Sequence, residues 1–310
     1  MSYVNKIKKI SLCACVLIST SAVAETYEYK DLPQDQLDRA YNQAEWSPNF
    51  KEIIAGYHTA SVEVQKTYHP QTFAYGPGDK EKLDIYSPKA AINLPIVLFV
   101  HGGAWKSGEK EDAAGPVKTF VDNGVIFVPI GFDVIPQTDL PGMVDQVRRS
   151  VSWIHNNARK FGGNPDKIYI SGHSSGAHLA AVMLTTDWTR LGEPSDVLKG
   201  GILISGMGDL QPPMKSSRGS YLKLNDEQIK RYSPILNLKA AQAPVIVVWG
   251  GNESPEFIRQ SKQLATAFKA RGLLFWDYEF PKTDHFTMVN LLNSPTSALS
   301  KQTLELIKSK

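Results

Sequence analysis

Ser174 is the residue of this chain best placed to act as a nucleophile. It stands in Gly172-His173-Ser174-Ser175-Gly176, directly after the apolar run Ile168-Tyr169-Ile170-Ser171 and directly before Ala177-His178-Leu179-Ala180-Ala181. This G-x-S-x-G spacing suits a serine at the apex of a sharp strand-to-helix turn. Such a turn forces the backbone two residues before and two residues after the serine against its neighbours, and glycine carries no side chain to collide. The hydroxyl is then exposed at a helix N-terminus, where unpaired backbone N–H groups stabilise developing negative charge.

A second stretch, His101-Gly102-Gly103-Ala104-Trp105, follows the apolar run Pro95–Val100. When a serine attacks a carbonyl, the oxygen becomes an oxyanion that needs two preset backbone N–H donors. One is expected from Ser175, the residue after the nucleophile, and the other from the loop Gly102, Gly103 and Ala104. One such donor supplies about 2.7–4 kcal/mol of transition-state stabilisation. His101 is read as ordering this loop by hydrogen bonding, not as a base.

The base must be a histidine in reach of Ser174. The chain has seven histidines, and His285 alone lies beyond the elbow helix. The order nucleophile, acid, histidine therefore selects it. It sits in Lys282-Thr283-Asp284-His285-Phe286, between a strand and a helix. The acid is sought after the penultimate strand, in Trp249-Gly250-Gly251-Asn252-Glu253-Ser254-Pro255-Glu256-Phe257. Ser254 suits a helix N-cap and Pro255 the first helical position, so Glu253 projects from the loop before that helix. Its role would be to fix the imidazole tautomer. Glu256 is the rival, read as a solvated carboxylate favoured by the helix dipole. Asp284 is read as shaping the histidine loop. Trp105, Trp188, Tyr221 and Phe286 are candidate pocket aromatics that packing explains equally well.

The elements around these residues alternate. Strands are expected at Lys82–Tyr86, Pro95–Val100, Val125–Ile130, Ile168–Ser171, Gly201–Ile204, Pro244–Trp249 and Leu274–Phe280. Helices are expected at Asp35–Tyr41, Phe50–Tyr68, Glu109–Asn123, along the periodic apolar face from Leu140 to Ile154, after the elbow, from Pro255 past Phe268, and around Thr287–Leu292 and Ala298–Ile307. Strands apolar on both faces and separated by helices mean a mainly parallel sheet covered on both sides. The segment 25–75 reads as helices lying over a catalytic domain at 76–310. Asp209 to Pro234 is the largest irregular insertion and sits on the ligand edge of the sheet, where a lid belongs.

Residues 1–24 read as a secretory signal peptide. Lys6, Lys8 and Lys9 form a basic start, Ile10–Ile18 a short apolar run, and Ala22-Val23-Ala24 a small-residue cleavage site. The run is too short to span a bilayer. Three of the 34 basic residues lie there and none of the 31 acidic ones, so the remainder balances at 31 against 31. The formal charge of +3 therefore gives no reason to expect nucleic acid as a partner. Both cysteines, Cys13 and Cys15, fall in the same segment. Export would leave a chain without thiols or disulfides, held by core packing. No His-Glu-x-x-His or phosphate-loop motif is present, so neither a metal nor a cofactor is expected.

Taken together, the loop at His101–Trp105, the elbow from Gly172 to Ala181 and Glu253-Ser254-Pro255-Glu256-Phe257 resemble the kynurenine formamidase (arylformamidase) branch of the α/β-hydrolases. Ser205-Gly206-x-x-Asp209-Leu210 and Leu37-Asp38-x-Ala40-Tyr41-Asn42 are similar too. The resemblance runs from about Leu37 onward. It implies an α/β-hydrolase fold with Ser174 as nucleophile, Glu253 as acid and His285 as base. Glu253 stands where many members carry Asp, and Ala104 where many carry a bulkier aromatic. With the signal segment, the expected function is that of an exported, periplasmic or secreted serine hydrolase acting on small carboxylic esters. The alternatives are an arylformamidase hydrolysing N-formylkynurenine and a catalytically silent hydrolase fold used for binding. The substrate is a small-molecule ester or formamide, and the oligomeric state is left open.

Overall fold

A computed structural model describes residues 29–309. The signal-peptide reading of 1–24 lies outside the described residues. The chain begins with helices α1 (Gln34–Tyr41) and α2 (Phe50–Gln65), then strands β1 (Gln71–Ala74), β2 (Lys82–Ile85) and β3 (Leu94–Val100). Helix α3 (Val117–Val121), β4 (Ile126–Ile130), α4 (Leu140–Asn157), β5 (Gly163–His173), α5 (Ser175–Leu184) and β6 (Leu198–Ile204) follow. Three short helices, α6 (Gln211–Lys215), α7 (Gly219–Leu222) and α8 (Asp226–Tyr232), precede β7 (Val245–Gly250), α9 (Pro255–Ala270), β8 (Leu274–Phe280) and α10 (Ala298–Lys308).

The strands form one sheet in the order β1-β2-β4-β3-β5-β6-β7-β8. The six from β4 to β8 run parallel, and β1 and β2 pair antiparallel at one edge. Both faces are covered. Along β3, Ile96, Leu98 and Val100 enter one core with Met143, Val147 and Leu264, while Val97 and Phe99 enter the other with Phe120, Ile202 and Leu306. That period of two, buried on both sides, is why the strand reads as an unbroken apolar run. The mainly parallel α/β-hydrolase architecture is as the alternating pattern implies.

Three expectations need correction. The helix expected over Glu109–Asn123 is broken at Gly115-Pro116. Only a 3₁₀ turn at Lys110–Asp112 and the five residues of α3 are helical. Proline lacks the N–H for the ladder and pushes the residue before it out of the helical region. Strand β1 was not anticipated. Of Gln71-Thr72-Phe73-Ala74 only Phe73 turns inward, against Trp153, so the apolar alternation is too thin to read. The insertion after β6 is not irregular, because α6, α7 and α8 occupy it. Helix α8 opens with a full capping box, Asn225 accepting from Gln228 N–H while the Gln228 side chain accepts from Asn225 N–H.

Candidate active site

The turn after β5 carries the strain its sequence implies. Ser174 has φ 57° and ψ −123°, a left-handed backbone that a non-glycine residue keeps only when its surroundings enforce it. The flanking glycines show what enforces it. A Cβ at Gly172 would lie 2.3 Å from the Gly176 carbonyl oxygen, and one at Gly176 would lie 2.1 Å from that of Val100. Strand, turn and α5 therefore fit only with both side chains absent.

Ser174, Glu253 and His285 stand at the ends of β5, β7 and β8 and meet over the sheet edge. His285 Nε2 is 2.9 Å from Ser174 Oγ, and His285 Nδ1 is 3.1 Å from Glu253 Oε2. All three are buried. A carboxylate only accepts, so Nδ1 carries the proton of the neutral imidazole and Nε2 is free to accept from the serine hydroxyl. The second oxygen of Glu253 accepts from the Ser205 hydroxyl at 2.6 Å and from Gly250 N–H at 2.7 Å. The carboxylate thus has every near neighbour specified. Ser254 caps α9 by accepting from Phe257 N–H, and Pro255 opens the helix, as the sequence implies.

The loop after β3 is coiled beside Ser174. Gly103 has φ 119°, and Ala104 and Trp105 follow in the left-handed region. The Gly103 carbonyl accepts from Lys106 and Ser107 N–H, and the Trp105 N–H is taken by Ser175 Oγ at 3.2 Å. Among the described residues nothing hydrogen-bonds the N–H groups of Gly103 and Ala104. Gly102, Gly103 and Ala104 line the cavity that contains Ser174. Ser175 is the first residue of α5, so its N–H belongs to the unpaired first turn. The N–H groups of Ser175, Gly103 and Ala104 are thus left without partners beside Ser174 among the described residues. His101 orders this loop as expected, with Nδ1 2.9 Å from the Gly102 carbonyl oxygen and its ring stacked on Phe132 at 4.2 Å. Burial pulls its pKa down.

Two further histidines pack around the centre, and both are neutral. His173 donates from Nε2 to the His285 carbonyl oxygen at 2.8 Å, which pins the backbone of the base. Burial and the neighbouring His285 push it down to about 3. His178 accepts from Trp105 Nε1 at 3.3 Å and donates to the Tyr232 carbonyl at 2.8 Å. Burial holds it at about 4. Both folded-state values lie below the unfolded one near 6.5, so the stability these groups contribute is complete above pH 6.5. It is lost as the pH falls through about 6.5 toward 4 and 3. At pH 5 the loss is roughly 2 kcal/mol for each histidine. We expect the thermal midpoint to drop steeply between pH 6.5 and 5, above the range where most carboxylates protonate. His178→Gln, which keeps a donor and an acceptor, should flatten that slope in a calorimetric pH series. An unchanged slope would assign the acid sensitivity elsewhere.

Glu256 departs from expectation. It is not solvated but fully buried. Tyr41 Oη donates to it at 2.8 Å, and Arg259 pairs with both of its oxygens at 2.8 Å. Helix α1 lies over the start of α9 and shuts out water, with Gln43 also donating to Ser254 Oγ at 2.8 Å. Asp284 does shape its loop, accepting from Phe286 and Thr287 N–H. Ser205 and His173 were not assigned roles from sequence. Ser205 is marked only as part of the family-like Ser205-Gly206-x-x-Asp209-Leu210, and the role of neither is written in its own neighbourhood, since their partners lie after other strands.

A cavity of about 940 Å³ opens above Ser174 and His285. It is walled by α1, α2, the loop after β3 and the start of α7, with Tyr57, Tyr221 and Phe286 among its aromatic lining. Trp105 and Trp188 are buried packing residues instead. Among the described residues no cluster of three or more His, Cys, Asp or Glu has metal-binding spacing, and no helix is long and apolar enough to cross a membrane.

Comparison with known proteins places the chain among hydrolases. The BD-FAE family model matches residues 83–200. Kynurenine formamidase of Danio rerio is 32% identical over 293 residues, covering 90% of this chain and 98% of that protein. The Salmo salar kynurenine formamidase is 34% identical, covering 85% of this chain and 93% of that protein. The solved structure of EstE1, a carboxylesterase from a metagenomic library, matches in fold with a TM-score of 0.68 at 20% identity, over 85% of this chain and 95% of its own.

Proposed function

This chain belongs to the arylformamidase and esterase branch of the α/β-hydrolases and is a hydrolase, and from that membership we propose that it cleaves small carboxylic esters through Ser174, His285 and Glu253. The observation that carries the reading is the unbroken relay from Glu253 Oε2 through His285 to Ser174 Oγ at the base of the cavity. Ser174 Oγ attacks the ester carbonyl as His285 Nε2 takes its proton. The tetrahedral oxyanion is met by N–H groups of Ser175 and of the Gly102–Ala104 loop. His285 returns the proton to the leaving alcohol, and the acyl group stays on Ser174. A water, deprotonated by His285, then attacks the acyl-enzyme, and as the adduct collapses His285 returns that proton to Ser174 Oγ and the acid is released. Residues 1–24 direct the chain to export in this reading, supported by their basic start, apolar run and Ala22-Val23-Ala24. The protein should be recovered outside the cytoplasm with its amino terminus at Glu25, and recovery only from the cytoplasm with a start at Met1 would refute export.

The identity to two kynurenine formamidases over nearly their full length favours a second reading, hydrolysis of the formamide of N-formylkynurenine by the same route. The two are separated by kcat/KM for N-formylkynurenine against p-nitrophenyl acetate. The ester should be the better substrate. A preference for the formamide of a hundredfold or more, some 2.7 kcal/mol of transition-state discrimination, would replace the first reading with the second.

A further inference from the structure

Arg218 is a buried cation lining the cavity whose chemistry the ester mechanism leaves unused. It opens α7 in the insertion after β6, is 8% exposed, and lines the same cavity as Ser174. Among the described residues no carboxylate pairs with it. Its N–H groups reach the Tyr41 carbonyl oxygen at 2.6 Å and, at 4.0 Å, the Met207 sulfur. The guanidinium lies against three rings, Tyr41, Trp105 and Phe257, at 5.3, 5.7 and 5.5 Å. Burial pulls its pKa down, and no neighbouring carboxylate pulls it back. A desolvated guanidinium is costly unless an anion answers it. Of the five acids lining the cavity, Asp35 has no partner among the described residues and none pairs with Arg218; the other four are engaged elsewhere. Asp38 accepts from Ser217 N–H, Glu45 pairs with Arg39, Glu109 with Lys80 and Asp112 with His58.

Position turns the unpaired charge into a recognition element. The Phe257 ring is 4.9 Å from the His285 ring and 5.5 Å from the Arg218 guanidinium, so one aromatic ring separates the base from the cation. Lys106 lies 4.7 Å over the ring of Tyr221, another lining residue, and adds a second positive charge to the same wall. We propose that Arg218 binds a carboxylate of the substrate, carried about one ring's breadth from the scissile bond. The planar fork of a guanidinium matches both oxygens of a carboxylate, a fit an ammonium does not reproduce. The substrate class is then an ester or formamide bearing an acid group, not a neutral ester. The inference rests on Ser174 being the reacting residue.

The test compares 3-(4-acetoxyphenyl)propanoate with its uncharged propanamide in the wild type, Arg218→Gln and Arg218→Lys. The wild type should favour the acid at least about thirtyfold in kcat/KM, expressed chiefly in KM. Arg218→Gln should collapse that ratio to within about threefold of unity, and Arg218→Lys should keep part of it. If Arg218 only ties α7 to α1, the glutamine variant lowers both rates together and the ratio stays at its wild-type value, which overturns the proposal. An absence of preference in the wild type overturns it as well. Calorimetric binding of 3-(4-hydroxyphenyl)propanoate and its amide to full-length Ser174→Ala gives a readout free of turnover and of any change at Arg218. Tighter binding of the acid, weakened by salt, supports the inference, and equal binding removes it even where ester turnover stands. Absence of turnover of both esters by the wild type, with the acid still bound preferentially, would instead count against Ser174 chemistry alone.

Discussion

Ser174→Ala should lower kcat/KM for p-nitrophenyl acetate by about 10⁴- to 10⁶-fold, the range found when a nucleophile that acts as one unit with its base is removed. The substitution deletes one oxygen. His285 Nε2 then loses the hydroxyl 2.9 Å away, the one hydrogen-bond partner it has among the described residues. The oxyanion donors and the cavity remain, so the residual rate should reflect binding and electrostatics alone. Folding should hardly respond. The left-handed backbone at Ser174 is enforced by the Gly172 and Gly176 contacts, which alanine leaves untouched. Labelling by a fluorophosphonate should vanish in the variant and map to Ser174 in the wild type. Residual ester turnover above about 1% with an unchanged thermal midpoint would mean that another residue reacts, because the arithmetic of one lost nucleophile leaves no room for it.

The parts of the site that were legible in the sequence are those whose causes are local. The elbow declares itself because two backbone collisions, at Gly172 and Gly176, must both be avoided within five residues. His285 follows from chain order, since the strand ends that converge on one sheet edge are visited in sequence. Glu253 follows from the cap at Ser254 and Pro255, which fixes where the loop stops and α9 starts. What was not legible depends on distant chain. Glu256 reads as a solvated first-turn carboxylate until α1 arrives from 215 residues away and Tyr41 donates to it. Ser205 reads as the end of β6, yet it fixes Glu253 across 48 residues. Arg218 reads as an insertion residue, and only the fold shows three rings from α1, the loop after β3 and α9 converging on it. The amino-terminal helices therefore do more than cover the core. Gln43 holds the N-cap of the helix that follows Glu253, Tyr57 donates to the Phe286 carbonyl beside the base, and Tyr41 anchors Arg218.

Glu253→Gln should cost about 10³- to 10⁴-fold in kcat, far more than the loss of one charge suggests, because it reverses the tautomer of the base. The argument lies in the partners of the other oxygen. Oε1 accepts from Gly250 N–H and from the Ser205 hydroxyl. The Gly250 N–H can only donate, so the glutamine must place its carbonyl oxygen there. Its amide NH₂ then faces His285 Nδ1 at the position Oε2 held, 3.1 Å away. A donor facing Nδ1 forces that nitrogen to accept, which moves the imidazole proton to Nε2. A protonated Nε2 cannot take the proton of Ser174, and the serine stays a hydroxyl. Glu253→Asp tests the same logic from the other side. It keeps an acceptor-only group and hence the correct tautomer, but its shorter arm cannot hold Gly250 and His285 at their present distances together. Its loss should be smaller, on the order of 10- to 100-fold, the cost of misplacing a supporting group. Nitrogen-15 NMR of the His285 ring separates the two cases, reporting the proton on Nδ1 in the wild type and the aspartate variant and on Nε2 in the glutamine variant. Equal rates for glutamine and aspartate would mean that Glu253 only fills space beneath His285, and the acid of the relay would have to be sought at another side chain.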